Sequence, residues 1–124
     1  MYHYIHKESD PKIFKNLKGI SCTVFEEHIQ YLLKHYTPIK HKDLIDYFKK
    51  DKPLPKKSFY LTFDDGFKQH VTNVLPILDK YSLEGSFYIP TMPILEKKIH
   101  FLEKQRVLQY STFPTYKIFL QKLY

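Results

Sequence analysis

Phe59-Tyr60-Leu61-Thr62-Phe63-Asp64-Asp65-Gly66 is an uncharged run of aromatic, aliphatic and β-branched residues that ends in two acids and a glycine. Such a run reads as a strand buried on both faces, as in a parallel sheet. In α/β sheets and barrels the ligand site lies at the carboxyl ends of these strands, so Asp64 and Asp65 stand where a site would be built. Gly66 suits the sharp turn that follows, because it takes positive φ or admits a close approach to the backbone.

Downstream, Val71, Val74, Leu75, Leu78 and the adjoining Tyr81 make a helical pattern. Pro76 inside it predicts a kink or a restart, since proline removes a hydrogen bond and clashes with the preceding turn. Gly85 resets the chain, and Ser86-Phe87-Tyr88-Ile89 reads as another short strand, halted by Pro90 and Pro93. From Ile94 onward, Leu95, Ile99 and Leu102 suggest a helix, and Tyr116, Phe119, Leu120 and Leu123 a last one. Upstream, Met1 to His6 look like the end of a strand, and Lys7 to Gly19 like a long polar loop. Thr23 and Glu26 make a capping-box pattern, and Phe25, Ile29, Leu32, Leu33 and Tyr36 then predict a helix over about Val24 to Tyr36. Thr37-Pro38 ends it, and Ile39 falls in a very short strand. Leu44, Ile45 and Phe48 give the apolar face of a helix over roughly Lys42 to Lys50, and Lys49 to Lys57, with Pro53 and Pro55, read as an exposed loop. Strands alternating with helices argue for βα units and a parallel sheet, open or closed into a barrel.

The chain has 124 residues, enough for one domain, and is 43% hydrophobic. Twenty Lys and Arg against 13 Asp and Glu leave a net charge of +7, which suits nucleic acid or anionic polysaccharide and lipid surfaces. The lysines are scattered through every segment and read as solvated helix faces. A basic nucleic-acid-binding module is the weakest of the readings, because no recognition helix or stacking platform supports it, and no nucleic-acid partner is expected. The one cysteine, Cys22, has no partner for an internal disulfide or at metal spacing and reads as a small core or surface residue. Neither a signal-peptide pattern nor an apolar stretch of membrane length is visible, so a soluble cytoplasmic protein without a membrane span is the default expectation.

Adjacent carboxylates at a strand end can divide labour, because successive side chains point to opposite sides unless the turn re-aims them. One can ligate a metal while the other handles a proton, and a metal-bound water has a lowered pKa. The alternative at this point is a capped turn, in which both acids take backbone N–H bonds at the start of the next helix.

Thr62-Phe63-Asp64-Asp65-Gly66, preceded by Phe59-Tyr60-Leu61 and followed by Gly85-Ser86-Phe87-Tyr88-Ile89-Pro90, closely resembles the polysaccharide deacetylases of carbohydrate esterase family four. Met1-Tyr2-His3-Tyr4 also looks like that family's first strand. The resemblance covers about residues 1–93 of a single domain over 1–124, with 94–124 as a helical tail. It implies a partial (β/α) barrel with parallel strands and a divalent metal, commonly zinc, held by one aspartate and two histidines. It also implies hydrolysis of an acetyl group on a saccharide substrate, with Asp64 as the catalytic base and Asp65 as the metal-ligating aspartate.

The resemblance places the metal histidines a turn apart in a second motif after the strand at Phe87 to Pro90, and this chain offers only His100 there. His100 is accordingly the candidate for a surviving ligand, against a surface role. His3 ends the first strand, aimed at the same mouth as Asp64, and is a candidate to support the site residues or to contact substrate. His70 follows the acid pair closely without a recognisable ligand spacing, and His28, His35 and His41 read as surface residues. Tight zinc sites take three protein ligands, so the pattern fits either a truncated or degenerate deacetylase or an inactive saccharide- or partner-binding relic. An incomplete barrel would leave a strand edge unpaired, favouring self-association.

Overall fold

The computed structural model describes residues 1–10 and 19–97. Three parallel strand pairs carry the architecture. Strand β1 (Ile5–His6) pairs with β2 (Ile20–Ser21), β3 (Thr37–Pro38) with β4 (Ser58–Phe59), and β5 (Leu61–Phe63) with β6 (Gly85–Phe87). A parallel bridge from Tyr2 to Phe63 adds the N-terminal residues to β5, with Tyr2 N–H donating to Thr62 C=O and Asp64 N–H to Tyr2 C=O. Parallel neighbours need crossovers, and here helices supply them. Helix α1 (Cys22–His35) leads from β2 to β3, α2 (His41–Lys50) from β3 towards β4, and α3 (Leu75–Lys80) from β5 to β6; α4 (Thr91–Glu96) follows β6.

The expected Phe59–Phe63 strand is split at Tyr60, and only Leu61 and Phe63 are buried, with Phe59, Tyr60 and Thr62 half-buried. Phe63 is fully buried and central: its ring lies 4.8 Å from that of Phe87, 5.8 Å from Tyr2 and 5.9 Å from Phe25. Around it, Ile5, Phe25, Ile29, Leu61, Val74, Ile77 and Leu78 complete the core. Gly85 is required by this packing, since a Cβ there would stand 2.9 Å from Phe63 Cε2 and 3.2 Å from the Leu61 carbonyl.

Several boundaries differ from expectation for local reasons. Helix α1 begins at Cys22 because Ser21 caps it, its Oγ accepting the Val24 N–H at 3.2 Å. The Thr23–Glu26 capping box is not used; Glu26 instead accepts from Lys80 Nζ at 2.5 Å and from Tyr81 O–H at 2.7 Å, tying α1 to the end of α3. Helix α2 starts at His41, one residue early, where the Asp43 carboxylate accepts the Lys40 N–H at 2.8 Å. The final strand stops at Phe87, leaving Tyr88 and Ile89 exposed, and α4 starts at Thr91 and includes Pro93 in its first turn, where a missing N–H costs little. Its continuation past Lys97, the last expected helix and His100 lie outside the described residues.

The restart expected at Pro76 takes a specific form. His70–Val74 is a π-helical turn, and α3 begins at Leu75 with Pro76 in its opening turn. A π turn holds more residues per turn than an α-helix and so rotates the faces that follow. His70, Asn73 and Val74 therefore all face inward, while Val71, an expected core position, is 65% exposed. The helix lengths rule out a membrane-crossing helix among the described residues.

Candidate functional site

The end of β5 assembles the site. Phe63 closes the strand, Asp65 turns the chain at φ 76° and Gly66 continues at φ 63°. Left-handed backbone is open to glycine and tolerated by aspartate, so the Asp-Gly pair is the chemistry this turn needs. A Cβ on residue 66 would also meet Ile89 Cγ2 at 3.1 Å. The turn projects the two acids differently. The partly buried Asp64 has its N–H in the bridge to Tyr2, and its carboxylate has no side-chain partner among the described residues. The Asp65 carboxylate accepts from His3 Nδ1 at 2.9 Å.

His3 reaches Asp65 because Tyr2 is bridged to Phe63, which sets the next residue of the N-terminal segment beside the residues that follow β5. His3 precedes β1 (Ile5–His6) and does not end a strand, and its side-chain partner is Asp65. The Tyr2 ring packs behind it, stacked on Phe63 and edge-on to Phe25, and burial raises the Tyr2 phenol above its ordinary range. Among the described residues no backbone N–H donates to the Asp64 carboxylate, the contact that the capped-turn alternative requires.

His70 is the residue that spacing undervalued. Its ring is 3% exposed, and its Nε2–H donates to the His3 carbonyl at 2.6 Å. One turn on, Asn73 Nδ2 donates to the Ile5 carbonyl at 3.0 Å and to Asp10 Oδ2 at 3.3 Å. The signal for both lay in Pro76, which follows both of them, disfavours a regular helix and so changes which residues face inward. His28, His35 and His41 are exposed, as expected.

Among the described residues no three His, Cys, Asp or Glu side chains come together as a metal-binding group. Asp65 and His3 form a two-donor set already hydrogen-bonded to one another, which does not match the three protein ligands that zinc takes in catalytic sites. His100 lies outside the described residues, and Cys22 is not near a second thiol; burial raises its thiol above the ordinary range. A separate cavity of about 350 Å³, lined by His41, Tyr60, Leu78, Glu84 and Ser86 among others, touches neither acid. It opens beside the start of β6, where Tyr60 O–H and Ser86 Oγ lie 2.9 Å apart.

With this geometry in place, the comparisons with known proteins are specific. Residues 51–106 match the polysaccharide deacetylase family. The poly-beta-1,6-N-acetyl-D-glucosamine N-deacetylase of Staphylococcus aureus (strain MSSA476) is 31% identical over 101 residues, covering 82% of this chain and 34% of that protein. The enzyme of the same name from Escherichia coli (strain K12) is 29% identical over 77 residues, 61% of this chain and 12% of that one. A solved de-N-acetylase from Aggregatibacter actinomycetemcomitans superimposes with a TM-score of 0.59 at 25% identity, over 69% of this chain and 34% of that chain. The Streptococcus pyogenes deacetylase PplD, solved with acetate, gives a TM-score of 0.59 at 21% identity over 88% of this chain and 50% of that one, a likeness of fold. The chain spans about a third of the length of the Staphylococcus aureus relative.

Proposed function

We propose, for a chain that belongs over residues 51–106 to the polysaccharide deacetylase family, that it is the acid-bearing part of a hydrolase removing N-acetyl groups from a polysaccharide of amino sugars. The observation that carries the proposal is the split between the acids: among the described residues the Asp64 carboxylate has no side-chain partner, while Asp65 is held by His3. The substrate class follows the relatives' names. The strand pairs and crossover helices are on this reading part of a (β/α) barrel, supported by the parallel pairing and by the solved neighbours.

Asp64 is the proton acceptor. Its carboxylate takes a proton from water as the water oxygen adds to the acetyl carbonyl carbon. Collapse of the tetrahedral adduct breaks the C–N bond, the nitrogen leaves as an amine with the proton that Asp64 took up, and the acetic acid formed departs as acetate, its proton passing to solvent. Asp65 is positioned by His3, whose side chain is 43% exposed and on this reading open to contact with the sugar. A divalent cation remains part of the proposal, with Asp65 as its candidate ligand, but the described two-donor set is short of a zinc site. His100 would be a third protein donor only if it approaches Asp65 and His3.

The test is acetate release from an N-acetylglucosamine oligomer, with and without added Zn²⁺ or Co²⁺, comparing the chain with Asp64→Asn. Release that falls by about a hundredfold or more in the variant is expected for a lost general base; equal release by both proteins removes Asp64 from the reaction. The incomplete ligand set favours a second reading, an inactive saccharide-binding form, for which oligomer binding without acetate release is the expected result. Self-association is proposed through the surface after β6, where Tyr88, Ile89, Ile94 and Leu95 are exposed.

A further inference from the structure

We infer that His70 is a positioning residue for the acid site, acting through His3. The observations form one chain of contacts. His70 stands in the π turn, its ring packed 5.7 Å from each of the Phe63, Phe67 and Phe87 rings. Its Nε2–H donates to the His3 carbonyl at 2.6 Å, and the His3 ring in turn donates from Nδ1 to Asp65 at 2.9 Å. A carbonyl accepts only, so the proton is fixed at Nε2. The other ring nitrogen, Nδ1, is buried with no hydrogen-bond partner.

A buried polar atom without a partner is disfavoured, and a phenylalanine would fill this aromatic niche without that cost. What the histidine supplies that phenylalanine lacks is one donor aimed at the His3 carbonyl. Asn73 performs the same task two residues along, at the Ile5 carbonyl. The π turn thus grips the N-terminal segment at alternate carbonyls, and the first grip falls on the residue that holds Asp65. The effect on the proposed reaction is to fix the direction of the Asp65 carboxylate, and in that respect the inference rests on the deacetylase reading.

The test does not require turnover. In the intact chain, long-range ¹H–¹⁵N spectra of the imidazoles should place the His70 proton on Nε2, and a nuclear Overhauser contact should join the His3 ring to the Asp65 methylene. In His70→Phe that contact should vanish, and exchange of the Asp64 amide should quicken by about tenfold or more as the N-terminal segment loosens. His70→Gln, whose terminal N–H₂ reaches as far as Nε2, should keep the contact. A contact preserved in folded His70→Phe, or lost in folded His70→Gln, overturns the inference, as does a wild-type proton on Nδ1; the last reading decides the matter even where a variant does not fold. If these spectra match while no acetate is released, the positioning role stands and the deacetylase reading falls.

Discussion

Asp65 holds a left-handed conformation, φ 76°, that β-carbon-bearing residues adopt at a cost. Glycine there would relieve the strain, and the exposed contact it would lose to His3 contributes little to folding. Asp65→Gly is therefore expected to melt no lower than the parent, with Asp65→Ala about 1 kcal/mol less stable than Asp65→Gly in denaturant titration. A carboxylate retained at a strained position for function gives this order; a carboxylate essential to folding would destabilise both variants alike. At Phe63 the balance is the reverse. Its ring is fully buried among Tyr2, Phe25, His70 and Phe87, so Phe63→Ala should cost about 3–5 kcal/mol, a large part of a domain's stability. Urea unfolding measures it, and a loss under 1 kcal/mol would mean that this is not the centre of the core.

Between elements, Glu26 of α1 joins Lys80 of α3 and the adjoining Tyr81, while Gln30 Nε2 donates to the Tyr81 hydroxyl at 2.9 Å. The hydrogen bond from Lys80, then that from Tyr81, hold the Glu26 carboxyl below its ordinary range. A depressed carboxyl stabilises the fold at pH above its unfolded value, and that contribution disappears as pH falls through the lowered folded value. The bond to Glu26 raises Lys80, whose share is present below the ordinary lysine range and lost as pH rises through the raised value. Melting temperature should consequently fall more steeply on acidification in the parent than in Glu26→Gln. Parallel curves for the two proteins would show that the α1–α3 clasp does not form in solution. The capping-box pattern that assigned Glu26 to its own helix was local, and Ser21 left it free to make this contact between helices.

At the scale of the molecule, the surface after β6 is one place among the described residues where neighbouring apolar side chains meet water. Ile94 is 65% exposed and Leu95 80%, next to a strand paired on β5 through residues 85–87. Exposed apolar groups beside a strand edge favour association. Sedimentation velocity over a range of concentrations should show growth in mass, and the double variant Ile94→Lys, Leu95→Lys should suppress it. A parent that stays monomeric throughout would remove this surface as an association site.

The run Phe59 to Gly66 announces by itself a buried strand, two acids at its carboxyl end and a turn that needs glycine, because apolar patterning and turn chemistry are local properties. The alternation of strands with helices was legible for the same reason. Only the tertiary structure brings His3 to Asp65 and leaves the Asp64 carboxylate without a side-chain partner among the described residues, since the bridge from Tyr2 to Phe63 joins segments far apart in sequence. Only the tertiary structure also turns His70 inward: the π turn shifts the helical phase, and a regular spacing carried across it points Val71 at the core in its place.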